Sequence, residues 1–189
     1  MSFSEFPPVF EDKLTGIPES DRDAVGRQFS DIRAKELDAS PINGNFDIEH
    51  LTEIHRYLFQ DSSTHAGVIR RYGMSKGTMF AEPAQIPYLF DKELPERITA
   101  LEQSVNNQEK YLDGLSDLHS TLDLAHPFRE GNGRSTRIFM SQLAKEHGYM
   151  LDFSTVDPKE WVKSCIYSIN KAEETLKRPL FKKILRIKK

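Results

Sequence analysis

Apolar residues return every three or four positions over much of this chain, and turn-forming residues cut that pattern into segments. In "FDIEHLTEIHRYLFQ", Phe46, Ile48, Leu51, Ile54, Leu58 and Phe59 line up along one helical face. A face of that kind must be buried against others like it, so several of them predict a helical domain. Ser20 reads as the cap of a first helix, "DRDAVGRQFSDIRAKELD", with Val25, Phe29, Ile32 and Leu37 facing the core. Pro41 and Gly44 in "SPINGN" break it. Further helices are expected over 92–112, with Pro95 in the first turn, and over 114–125, 131–147, 158–170 and 172–187. Residues 65–87 carry no helical period, and two short extended pieces around "SKGT" predict a small hairpin. Residues 1–16, with Pro7, Pro8 and Gly16, read as an irregular leader, and 17–189 as one mainly α domain.

Composition narrows the classes of partner. At 189 residues and a formal net charge of −3, the chain suits one domain and has no overall field that demands a polyanion. Cys165 is the one cysteine, so no internal disulfide can form, which fits a reducing, cytoplasmic setting. No apolar run is long enough to span a bilayer, and "MSFSEFPPVFEDK" lacks the basic and apolar regions of a signal peptide. The tail "KRPLFKKILRIKK" is basic, yet Leu180, Phe181, Ile184 and Leu185 repeat like a core stripe. It reads as a closing helix with a solvated basic face rather than a nucleic-acid site. Trp161 and Phe139 read as core. His50 and His55 are five apart, on different faces, and read as surface or packing residues rather than a metal pair.

The chemistry is concentrated in "HPFREGNGRSTR", residues 126–137. Pro127 disfavours helix at His126, so one helix should end there and a glycine-rich loop should lead into the next. A helix N-terminus offers free N–H groups and a dipole that favours anions. Arg134 and Arg137 are three apart and project to roughly one side, suited to several phosphates. Glu130 suits Mg²⁺ beside phosphate oxygens, and the Asn132 amide can donate to one of them. His126 titrates near neutrality when unperturbed and is the natural base. A polyphosphate-handling transferase and a merely structural basic loop both remain open at this point. A Walker A loop and an H-E-x-x-H zinc site are both excluded by spacing.

The stretch fills every specified position of H-x-F-x-[DE]-G-N-G-R-x-x-R and so resembles the signature of Fic domains. "FDIEHLTEIHRYLF", "AGVIRRYGMSKGTMFA" and "QLAKEHGYMLDF" are similar to the family's blocks, in the family's order, from about residue 17 to 187. The resemblance implies a helical Fic fold with a β-hairpin flap beside the active-site loop. It implies a protein adenylyltransferase that moves AMP from ATP to a Ser, Thr or Tyr hydroxyl and releases pyrophosphate. His126 would be the base, Phe128 the loop's anchor in the core, and Glu130 the Mg²⁺ ligand. Gly131, Asn132 and Gly133 would form the anion hole, Arg134 would bind phosphates and Arg137 would orient the distal one. The flap, residues 75–80, would dock the target segment, with Lys76 and Gly77 near nucleotide and target. Tyr167 is a candidate to line the adenine side, and His65 stands where relatives often carry an aromatic residue.

The intact "GNGR" favours AMP transfer over the kinase-like Doc branch. Intact His126 and Glu130 argue against a catalytically silent nucleotide-binding module. The inhibitory pattern [ST]-x-x-x-E-[GN] finds only the imperfect "TGIPES" and "TMFAEP". That implies no internal brake, a toxin-like enzyme restrained by a small antitoxin, and less room for the reverse reaction, de-AMPylation. The resemblance implies a cytoplasmic enzyme, or an effector delivered to a host cytosol.

Overall fold

A computed structural model describes residues 13–172 and 175–187. The expected leader falls almost wholly outside these residues. The chain is mainly α. Helices α1 (Glu19–Ala39) and α2 (Ile48–Phe59) pack on each other, and both pack on α6 (Asn132–Glu146). Two short turns, one 3₁₀ (Pro83–Gln85) and one α3 (Ile86–Tyr88), lead through a π turn (Leu89–Glu93) into α4 (Leu94–Gln103). Then α5 (Gln108–Ala125) runs through the middle, against α4, α6, α7 (Pro158–Lys171) and α8 (Lys177–Ile184). The centre is filled by Leu51, Ile54 and Leu58 of α2, Leu115, Leu118 and Leu122 of α5, Phe139 and Leu143 of α6, and Phe181 and Ile184 of α8. Burying each such side chain contributes roughly 1.5–3 kcal/mol.

Several boundaries differ from the sequence reading. Pro18, not Ser20, sits at the N-cap of α1, and no side chain caps it. Phe29 and Ile32 are exposed, because α1 turns Ser30 and Leu37 inward instead. The expected helix over 92–112 is interrupted between Gln103 and Gln108. There Asn107 adopts an extended backbone and its side chain accepts from the Lys110 N–H, starting α5 afresh. Gly114 therefore lies inside α5, not at its start. A Cβ there would meet Leu101 Cδ1 at 2.9 Å, so glycine permits the close approach of α4 and α5.

The expected hairpin is reduced to one antiparallel bridge, Ser75 with Met79, closed by a bond from the Lys76 N–H to the Thr78 carbonyl. The one regular ladder lies elsewhere among the described residues. β1 (Tyr149–Leu151) pairs antiparallel with β2 (Leu185–Ile187), Met150 opposite Arg186. The closing helix is thus shorter than 172–187. Its stripe of Leu180, Phe181, Ile184 and Leu185 is buried as expected, but so is one of its cations, Lys177.

Candidate active site

The twelve-residue stretch forms the turn from α5 into α6. His126 is the C-cap of α5, with φ 39° and ψ 58°, a left-handed conformation that costs a non-glycine residue about 1–2 kcal/mol. The anchor at Phe128, fully buried, contributes at least as much. Asn132 then closes the loop on itself. Its Oδ1 accepts from the Phe128 N–H at 2.8 Å and its Nδ2 donates to the Phe128 carbonyl at 2.6 Å. The Asn132 side chain thus commits its Oδ1 and one of its two amide N–H groups to the loop itself. Gly131 begins α6 at φ 83°, and a Cβ there would lie 2.4 Å from two atoms of the Phe59 ring. Gly133 is exposed and leaves the first turn of α6 bare. Helix N-termini of this kind present free N–H groups suited to an anion.

His55 holds this loop from α2. Its Nδ1 accepts from the Gly67 N–H at 2.8 Å, so its Nε2 carries the proton and donates to the Glu130 carbonyl, also at 2.8 Å. The ring stacks on Phe128 at 3.9 Å between centroids. Burial pushes its pKa down to about 4, which keeps it neutral. The Glu130 carboxylate is exposed at the loop's edge, beside Arg134. One exposed carboxylate whose backbone is pinned fits Mg²⁺, which takes few protein ligands and completes its shell with water and phosphate oxygens.

Arg134 and Arg137 diverge rather than share one side. Arg134 donates to Ser30 Oγ of α1 at 2.6 Å and lies over the Phe59 ring at 4.5 Å. Arg137 Nη1 reaches 3.7 Å from where a Gly133 Cβ would be, and burial lowers its pKa while the nearby Asp123 charge pulls the other way. Together they flank the start of α6. A cavity of about 590 Å³ opens beside Arg134, lined among others by Glu130, Lys76, Arg22, Arg27 and His65. Lys76 thus reaches the site from the flap. Gly77, at φ 71°, meets Ile166 of α7, and Thr78 Oγ1 donates to Asn170 Oδ1 at 2.7 Å, so the flap tip rests on α7. Tyr167 is half-buried on that helix, next to Ile166, and does not line this cavity.

His126 is half-buried, and the Asp123 backbone carbonyl lies near enough to its ring to favour a proton on it, while a neutral imidazole keeps one nitrogen as a lone-pair base. Burial, with Arg70 and Lys76 nearby, pushes its pKa down to about 4 against the pull of Asp123. Beneath it lies a cluster that sequence reasoning missed. Lys177, fully buried, donates to Asp123 Oδ2 at 2.9 Å and Ser120 Oγ at 2.7 Å. His119 Nδ1 lies 3.0 Å from the same carboxylate oxygen, at an angle that makes the contact electrostatic rather than a good hydrogen bond. Burial alone would raise the Asp123 carboxyl, but His119 and Lys177 outweigh it and hold it well below the usual carboxylate range. His119, Asp123 and Cys165 are close enough to share a metal ion, within 4.8 Å of one another. The Lys177 ammonium already supplies the cation there. Burial pushes the Cys165 thiol up, so it stays protonated.

Residues 45–144 match the Fic/DOC family. The chain belongs to that family. This Fic chain is 34% identical over 159 residues to "Protein adenylyltransferase VbhT" of Bartonella schoenbuchensis, a match that covers 82% of it and 33% of that protein. It is 33% identical over 143 residues to "Probable protein adenylyltransferase y4lH" of Sinorhizobium fredii, covering 74% of it and 72% of the relative. Among solved structures, the Bartonella tribocorum effector BepC with bound AMPPNP superposes with a TM-score of 0.84 at 26% identity, covering 96% of this chain and 94% of that one. The N-terminal Fic domain of a Bartonella quintana effector with bound ADP gives 0.85 at 26%, covering 99% and 95%. Among the described residues, no helix is long and apolar enough to cross a membrane.

Proposed function

We propose that this Fic domain is a protein adenylyltransferase, transferring AMP from ATP to a Ser, Thr or Tyr hydroxyl of a target protein. The observation that carries the reading is the juxtaposition of a neutral, oriented His126 with the bare first turn of α6 between Arg134 and Arg137. Relatives named protein adenylyltransferases, and Fic neighbours holding AMPPNP or ADP, support it. In this reading the free ring nitrogen of His126 takes the proton of the target hydroxyl as its oxygen attacks the α-phosphorus. The bond from that phosphorus to the β-phosphate's bridging oxygen breaks and pyrophosphate leaves. N–H groups of the α6 turn, Arg134 and Arg137 stabilise the developing charge. Glu130 would hold Mg²⁺, which supplies charge neutralisation on the phosphates. Lys76 and Gly77 stand at the nucleotide's edge, and Tyr167 on the adenine side.

The target's segment docks along the flap at 75–80, and residues 17–189 act as one Fic domain. The imperfect inhibitory patterns support restraint in trans, by a small antitoxin whose glutamate meets Arg137, and a cytosolic site of action, in the parent cell or a host. Incubating the protein with Mg²⁺, lysate and ATP labelled at the α or γ position, beside His126→Ala, tests the core of this. Label entering protein from α alone, and lost in the variant, is the expected result. Label from γ alone would make the enzyme a kinase-like phosphotransferase, and no label from either, with ATP still bound, would favour a silent nucleotide module or a missing activator or target.

A further inference from the structure

Two flap-side residues, Phe80 and Arg70, converge on His126. Phe80 stacks on the imidazole, centroids 3.6 Å apart and planes 10° from parallel. Arg70, nearly fully buried, spends four of its five guanidinium N–H groups on backbone carbonyls. Nε donates to His126 at 2.7 Å, Nη1 to Tyr72 at 2.7 Å, and Nη2 to Ala81 at 2.6 Å and Ala125 at 3.1 Å. Tyr72 and Ala81 flank the flap on either side, and Ala125 and His126 are the end of α5. The backbone repeats the connection. The Arg70 N–H donates to Pro127 at 2.8 Å, the Ala81 N–H to Leu124 at 2.9 Å, and Ile69 bridges to Phe128.

A cation at a helix C-terminus is ordinary capping, favoured by the dipole. Capping alone does not need a side chain that also ties both ends of a flap, nor an aromatic ring laid on a neighbouring imidazole. His126 also sits in a left-handed backbone conformation that only its surroundings can hold.

We infer, resting on the reading of His126 as the base, that Phe80 and Arg70 are positioning residues that make the flap part of the catalytic base. Phe80 fixes the plane of the imidazole and Arg70 fixes the backbone that carries it. A target strand that moves the flap therefore moves the base with it.

Phe80 is half-buried, so its truncation leaves the core intact, and it gives the cleaner test. The His126 ring resonances are followed against pH by NMR in the nucleotide-free protein, for wild type, Phe80→Ala, Phe80→Leu and Phe80→Tyr. The charged groups around the ring, Asp123 on α5, Arg70 on the stem and Lys76 on the flap, are unchanged in this series. Phe80→Ala and Phe80→Leu are expected to lose the ring-current shift. Phe80→Ala should also raise the midpoint by about one pH unit as water reaches the ring. Phe80→Tyr, which keeps the plane, should restore both. With α-labelled ATP at pH 7, Phe80→Ala and Arg70→Lys should each lower kcat on the order of tenfold to a hundredfold, with KM for ATP within about twofold. Arg70→Lys keeps the charge and loses the four-carbonyl reach.

An unchanged His126 titration and shift in Phe80→Ala overturns the inference, as does a loss carried by KM alone or a shifted titration with kcat intact. Because the titration needs no nucleotide, it decides the coupling even if the transfer reaction proves to be of another kind.

Discussion

Lys177→Met should be among the most damaging single substitutions in α8. The Lys177 side chain is wholly buried, 2.9 Å from Asp123 Oδ2 and 2.7 Å from Ser120 Oγ, and it balances a carboxylate that is itself only 13% exposed. Removing one partner of a buried pair leaves an uncompensated charge, at a cost of about 3–5 kcal/mol. In a domain of this size that lowers Tm by roughly 6–20 °C. Removing both charges is milder, so Lys177→Met with Asp123→Asn should recover at least half of the loss in a double-mutant cycle by urea unfolding. The single variant should also respond to pH. In wild type, burial first and Lys177 second hold the His119 pKa down, while Asp123 pulls it up. Without Lys177 the balance moves toward protonation, and a protonated His119 can neutralise Asp123. The folded-state pKa of His119 is then raised relative to wild type, so the penalty should be smaller at pH 5 than at pH 8. A single variant that costs less than about 1 kcal/mol, or a double no more stable than the single, would refute the pairing as the reason for burying this lysine.

Gly131→Ala forces a Cβ into the Phe59 ring at a φ of 83°. It should cost about 1–3 kcal/mol and, by shifting the loop, lower transfer on the order of a hundredfold; thermal melts and labelled-ATP assays check both. Asn132→Ala orphans the buried Phe128 N–H and carbonyl, at about 1–3 kcal/mol for each group left without a partner, measurable by urea unfolding. For His126, a base pKa depressed to about 4 places the acid limb of kcat/KM far below the histidine norm of 6.5, and a limb centred on 6.5 contradicts the buried, oriented ring.

What could be read from the sequence was local. The stripe of α2, the stop at Pro127, the glycine loop and the apolar face of α8 each depend on residues within a turn or two of one another, and each is found. The misses share a cause. Phe29 and Ile32 fit the period of α1, but which face of a helix is buried depends on what the chain brings alongside. Here α1 offers Ser30 to Arg134, 104 positions away. The hairpin's one bridge and the β1–β2 ladder depend on pairings that a two-residue period over three residues cannot announce.

For the same physical cause, the motif identifies the site without describing it. The signature names the residues of the loop, yet several groups that hold them come from elsewhere. His55 arrives from α2, Arg70 and Phe80 from the flap stem, and Lys177 from the last helix. None stands at a spacing that relates it to residues 126–137, and two of them, read in sequence alone, look like a packing histidine and a solvated tail lysine. Asn132 carries the converse lesson. Its position within the signature invites a role toward phosphate, yet its Oδ1 and one amide N–H close the loop on Phe128, so it also shapes the backbone that the loop presents. The loop is left with few donors of its own besides the α6 N-terminus and the two diverging arginines, and under the proposed reading that economy makes the orientation of a single histidine the quantity on which the chemistry depends.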